Sequence, residues 1–237
     1  IGNGYMGVAV FGGTESELLS ISDKEMYNPR DKAPGGDGWG SNPPPGPDGE
    51  EYMAYSTGGY ANMCKAHIDF GHDFDKVSNY KMELLLETAE ARVSYAYEGV
   101  TYNRTYFASY PDNVTVMKLD ASQAGKLNFT LRPEATSVRD YCTSPADGLG
   151  KTGSVVANGD TAIVSGTLKG YNINYEAQFK VIPVGGKMRT SGGNIVVENA
   201  DSAVILLTVD TNYELTPWTL TAADQEKLDP NSFPHEK

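Results

Sequence analysis

The chain has 237 residues, with 19 Lys or Arg against 31 Asp or Glu and a formal charge of −12. That length suits one large β domain or two small ones, and the 39% hydrophobic content excludes a disordered chain. So acidic a chain repels phosphate, which excludes a general nucleic-acid binder, and the longest apolar run, Ala203 to Leu207, is too short for a membrane-spanning helix. The excess of 26 Gly, 13 Pro and 15 Tyr points to short strands and frequent turns.

In chain order, residues 5–11 alternate as a strand that leaves through Gly12-Gly13, and Glu17 to Ser22 reads as its hairpin partner. From Tyr27 to Tyr60 the pattern collapses. Pro29, Pro34, Gly35-Gly36 and Pro43-Pro44-Pro45 sustain neither helix nor ladder. Trp39, Tyr52 and Tyr55 stand in this long loop, where aromatic rings suit stacking on a sugar.

Residues 79–93 carry strong helix formers, Met82, Leu84, Leu85, Leu86 and Ala89 among them. The next residues are firmly period two, with Val93, Tyr95 and Tyr97 opposite Ser94, Ala96 and Glu98. Met82, Leu84 and Leu86 therefore fit a strand feeding this meander, with Glu87-Thr88-Ala89 as its turn. Further strands are predicted at 100–108, 114–119 and 127–131, then a loose loop from Pro133 to Gly153. More strands are predicted at 154–157, 161–168, 175–184 and 194–198. The near-continuous apolar run within 201–210 reads as a strand buried on both faces. Helix chemistry enters only after Thr219, where Thr221 and Asp224 resemble a capping box. About a dozen or more strands at this spacing predict an all-β fold, a large antiparallel β-sandwich with a short helix near the C-terminus.

The two cysteines, Cys64 and Cys142, are either a bridge or two buried thiols. Cys64, His67 and His72 make a loose zinc-like spacing. A fourth ligand is missing, and on a strand Cys64 and His67 would face opposite ways, so no metal is expected. Asp69, Asp73 and Asp75, like Asp23 and Glu25, read as solvated or turn carboxylates. No nucleophile elbow, phosphate loop or dinucleotide fingerprint is present, and no cofactor is expected. The glycines of Gly2-Asn3-Gly4 suit a close backbone approach to another surface.

Three stretches resemble one family. They are Ile-Gly-Asn-Gly-Tyr-Met-Gly-Val-Ala-Val-Phe-Gly-Gly at 1–13, Tyr-Lys-Met-Glu-Leu-Leu-Leu-Glu-Thr-Ala-Glu-Ala-Arg-Val-Ser-Tyr at 80–95, and Gly-Val-Thr-Tyr-Asn-Arg-Thr-Tyr-Phe-Ala-Ser-Tyr-Pro-Asp-Asn at 99–113. Together they are similar to the N-terminal domain of glycoside hydrolase family 95, the bacterial and plant 1,2-α-L-fucosidases, a glycosyl hydrolase family 65 N-terminal-like domain. The chain departs from that pattern at 22–27, Ser-Asp-Lys-Glu-Met-Tyr, and at 63–66, Met-Cys-Lys-Ala, which leaves fucose against another α-L-sugar open.

The resemblance implies a single β-supersandwich over 1–237, with 219–237 beginning a linker to an (α/α)6 barrel. The barrel would supply the inverting catalysis, so no catalytic residue is expected in this chain. The implied partners are that barrel and a fucosylated or related oligosaccharide in the full-length protein, with no nucleic acid and no membrane. A secreted, periplasmic or cell-surface location is implied. The lack of an initial Met and the abrupt ends lead us to expect a piece of a longer protein. Asn3, Tyr5 and Trp39 are the candidates for substrate-proximal or domain-interface residues. The alternative is a stand-alone carbohydrate-binding sandwich that uses the loop aromatics.

Overall fold

The computed structural model describes residues 1–28, 59–60, 62–136, 151–168 and 173–213. Trp39, Cys142, the loop aromatics and the helix expected after Thr219 lie outside them. Each turn signal in the described residues separates two strands, and the result is two antiparallel sheets packed face to face.

The first sheet has six strands in the order β1-β2-β5-β10-β15-β14. These are β1 (Met6–Val10), β2 (Ser16–Asp23), β5 (Cys64–Asp69), β10 (Leu127–Glu134), β15 (Asn194–Ala200) and β14 (Lys187–Ser191). The two-residue strands β3 (Tyr27–Asn28) and β4 (Gly59–Tyr60) pair separately. The second sheet has eight strands in the order β11-β12-β13-β16-β9-β8-β7-β6. Its members are β6 (Ser78–Leu85), β7 (Glu90–Tyr97), β8 (Val100–Ser109), β9 (Val114–Ala121), β11 (Lys151–Asn158), β12 (Thr161–Leu168), β13 (Ile173–Val184) and β16 (Ser202–Thr211).

The core lies between the sheets, because alternate residues of each strand point inward. Leu19, Ile21, Ala66, Ile68, Phe129, Leu131, Ile195 and Val197 come from the six-stranded sheet, and all are buried. Facing them are Met117, Leu119, Phe179, Val181, Ile205 and Leu207. Tyr95, Tyr102 and Tyr106 of the meander also point inward, which explains why this stretch is so rich in tyrosine.

The helix-prone stretch is a strand and turn, as period two predicted: β6, then a turn at 86–89, then β7. Three details differ from the sequence reading. β16 alternates between buried and half-buried, so Val204 and Leu206 are only partly covered and the strand is buried on one face, not two. β14 is a strand that apolar alternation does not reveal, because Lys187, Arg189 and Thr190 sit on an exposed edge where no core selects apolar residues. β10 runs on through Pro133 to Glu134. Its pairing with β15 stops at Leu131, and Pro133 pairs with Ala66 of β5 alone, so the proline's missing N–H costs no ladder bond on the β15 side.

Candidate functional site

Asn3 is buried and spends its side chain on its own domain. Its Nδ2 donates to Ser109 O at 3.0 Å and to Asn113 Oδ1 at 2.9 Å, while its Oδ1 accepts from the Tyr5 and Met6 amides. It ties the N-terminal segment to the β8–β9 turn. The close approach at Gly2 is likewise internal, since a Cβ there would meet Met6 O at 2.8 Å. Tyr5 is exposed, with its ring stacked 5.9 Å from that of Tyr110 and Lys24 Nζ 3.8 Å above its centroid. Trp39 lies outside the described residues.

The Cys64, His67 and His72 spacing does not converge. Cys64 is a fully buried free thiol, and burial pushes its pKa up to about 12. His67 projects from the opposite face of β5. His72 lies inside, with a ring nitrogen 2.9 Å from Tyr95 Oη and its ring 4.5 Å from that of Tyr97 and 4.4 Å from that of Tyr102. Burial, with help from the Arg104 charge, lowers the His72 pKa and disfavours the charged ring.

The strongest polar feature is one that the sequence does not announce. Glu17 of β2 and Arg104 of β8 meet between the sheets, 3.3 Å apart and both essentially sealed from solvent. Glu17 Oε1 accepts from the Phe11 and Gly12 amides, and its Oε2 accepts from Tyr106 Oη at 3.1 Å. Arg104 donates to the carbonyls of Gly13 and Gly12 and lies 5.0 Å from the Phe70 ring centroid. Its Nε, among the described side chains, is the buried polar atom left without a hydrogen bond. Burial raises the Glu17 pKa and the Arg104 charge opposes the rise. A perturbed carboxyl in a cleft would be a catalytic signal. This one is closed off by its own fold, and its work is to pin the 11–14 turn.

That turn presents the first of two surfaces. Phe11 projects from it into solvent, and beside it Tyr80 Oη donates to Gly12 O at 3.0 Å. β6 is the outermost strand of its sheet. Met82 and Leu84 pair with Val93 and Ala91, which are buried, so they lie on the inner face of the sheet. The β1–β2 turn of the six-stranded sheet reaches Met82 at Gly12 and leaves Leu84 largely open. Leu84 is 59% exposed and Leu86 82%, with Met82 and Tyr80 also open, which makes an apolar ridge along the overhanging edge.

The second surface is a depression of about 690 Å3 on the outer face of the six-stranded sheet, with Glu15, Ser16, His67, Asp69, Phe74 and Arg132 in its lining. Ser16 Oγ donates to Asp69 Oδ1 at 2.5 Å and lies 3.2 Å from His67 Nδ1. Arg132 Nε donates to the other Asp69 oxygen at 3.1 Å. Although Ser, His and Asp are adjacent here, the serine proton is directed at the carboxylate and not at the imidazole. The arrangement therefore does not generate a nucleophile.

Fold and site together define a two-sheet β-sandwich domain whose buried charges serve its own loops and whose edge carries uncovered apolar side chains. The chain belongs to the family described as glycosyl hydrolase family 65, N-terminal domain, whose model matches residues 48–216. It is 29% identical to alpha-L-fucosidase 2 of Arabidopsis thaliana over 97% of this chain and 30% of that protein. It is 30% identical to probable alpha-fucosidase A of Aspergillus niger over 69% of this chain and 19% of that one. A human-microbiome protein provisionally assigned as a kojibiose phosphorylase shares 12% identity, with a TM-score of 0.49 over 95% of this chain and 32% of its own. The chain thus spans less than a third of the length of the relatives it matches.

Proposed function

We propose that the chain is the non-catalytic N-terminal domain of an α-L-fucosidase-like enzyme of glycoside hydrolase family 95 type, and that it buttresses the catalytic part of a longer protein. Two α-fucosidase relatives, each more than three times the length they share with this chain, support that reading. In it, residues 219–237 lead into an (α/α)6 barrel that carries the inverting chemistry. Of the three candidate residues, Tyr5, beside Tyr110, is described and exposed, and in this reading it belongs to the domain interface.

The observation that carries the proposal is the ridge of Met82, Leu84 and Leu86 with Phe11. Apolar side chains left this exposed gain by being covered, at about 25 cal/mol per Å2 of apolar surface. The occupant we assign is the downstream catalytic domain of the same polypeptide.

The test uses the longer protein. Leu84→Lys should lower its thermal midpoint and its release of fucose, while leaving the unfolding of the 237-residue chain unchanged. Wild-type behaviour of the longer variant in both assays would remove the ridge from the interface. Fucose release by the 237-residue chain alone, above the level of a mock preparation, would overturn the non-catalytic assignment.

A further inference from the structure

The depression on the outer face of the six-stranded sheet has a construction that docking through the ridge does not use. Its wall is built from two segments locked together. The Phe70 and Gly71 amides both donate to Glu15 O at 2.9 Å, and Thr14 Oγ1 donates to His72 O at 3.0 Å. The depression is open, with walls fixed by backbone and side-chain hydrogen bonds.

Its floor alternates donors and acceptors. Asp69 is the central acceptor, with Ser16 bound to one oxygen and Arg132 Nε to the other, and each carboxylate oxygen keeps a further lone pair. Arg132 engages Asp69 through Nε, and its two terminal amino groups carry the other four N–H donors of the guanidinium. His67 Nε2 stands 3.8 Å from Glu134 Oε2, beyond hydrogen-bond reach, so it too has capacity to spare. A hydroxyl both donates and accepts, and a pair of adjacent hydroxyls matches a carboxylate flanked by a guanidinium and an imidazole.

At the rim stands Phe74, 63% exposed and held edge-on against Tyr80 with ring centroids 5.8 Å apart. An aromatic face fixed in water beside polar groups is a platform for the apolar C–H face of a pyranose. The depression is weighted against anions, because Asp69 and Glu15 line it beside Arg132 in a chain of net charge −12.

We infer that this depression binds a neutral hexopyranose, with Phe74 as the stacking platform and Asp69, Arg132 and His67 holding two adjacent ring hydroxyls. The site is independent of the domain-buttressing reading. Its test is sugar binding by the 237-residue chain itself, which needs no catalytic domain, and the ridge meets the depression only at its rim, where Phe74 packs on Tyr80. Because it is open, it takes one ring at millimolar affinity and acts as an anchoring point for a glycan, not as a reaction centre.

The experiment is a titration of the 15N-labelled 237-residue chain with L-fucose, D-galactose and D-glucose, and with D-galacturonate as the anionic comparator. At least one neutral sugar should give saturable shifts concentrated on the amides of Ser16, Asp69, Gly71 and Phe74. Phe74→Ala should weaken that binding about fivefold and Arg132→Gln about tenfold. Both side chains are exposed enough that the remaining spectrum should be unchanged, which separates lost binding from lost fold. The inference fails if none of the neutral sugars gives saturable shifts, if galacturonate binds more tightly than galactose, or if both variants bind as the wild type does.

Discussion

Glu17 and Arg104 show how much one residue pair can decide. Neither charge has solvent to stabilise it, and each is held by the other together with the Gly12 and Gly13 backbone. Removing one partner leaves the other uncompensated in the core, so Glu17→Ala should destabilise the chain by about 3–5 kcal/mol in urea unfolding. Replacing both by apolar residues of similar volume should cost less than that single change. A single-variant loss below about 1 kcal/mol would mean that water reaches the pair after all.

Asp23 sits at the opposite end of the same strand, and burial, reinforced by Glu25 and Asp210, raises its pKa from 3.8 to about 6. The folded state then binds this proton more tightly than the unfolded one. Stability is lost as pH rises from about 4 to 6, and the loss is complete above that window. Asp23→Asn removes the titration and can still accept the Glu25 amide. It should therefore gain about 2–3 kcal/mol over wild type above pH 6, with the gap closing towards pH 4. Denaturant midpoints of both proteins across that range measure it, and a gap that does not vary with pH would refute the assignment.

At the scale of elements, packing across strands explains what propensity does not. β11 and β12 set Gly153 opposite Gly166, and Gly166 pairs on its other side with Tyr175 of β13. The missing side chains let the Tyr175 hydroxyl cross both strands to Thr152 O at 3.0 Å. A Cβ on Gly166 would press into the Thr152 carbonyl and stand 2.6 Å from the Tyr175 hydroxyl. Gly166→Ala should therefore lower stability by about 1–3 kcal/mol, read as a fall in thermal midpoint. An unchanged midpoint would show that the ribbon can spread without loss. β6 teaches the converse lesson. Its alternation predicts a strand correctly, yet alternation says only which side chains share a face. Whether that face is covered depends on how far the opposite sheet extends, and here it leaves Leu84 in water.

For the whole molecule, the exposed ridge and the polar depression adjoin where Phe74 packs on Tyr80, so the cleanest probe of the ridge is Leu84, which does not line the depression. In the 237-residue chain, Leu84→Lys should shift stability by no more than about 0.5 kcal/mol, because the side chain is already 59% exposed. A larger loss in equilibrium unfolding would place Leu84 in the core of this domain and not on its docking edge.

Much of the architecture was legible in the chain itself. Period-two runs with Gly, Pro and Asn punctuation mark most strands, and the tyrosines of 95–106 mark a face that must be buried. The site was far less legible. Asn3 stood out by its glycine neighbours, and it proves to be a tie to Ser109 and Asn113. Arg104 looked like any polar residue in an alternating run, although its place on the inward side of 100–108 was a signal that a counter-charge had to exist. Ser16, His67, Asp69 and Arg132 come from three strands that are neighbours only in the folded sheet.

By itself, the sequence determined an acidic all-β domain of short strands, because side-chain periodicity and turn chemistry are local properties. Only the tertiary structure decided which strands became neighbours, which charges were sealed together and which apolar residues stayed in water. Those outcomes depend on sheet order and on the unequal widths of the two sheets, and no window along the chain contains either.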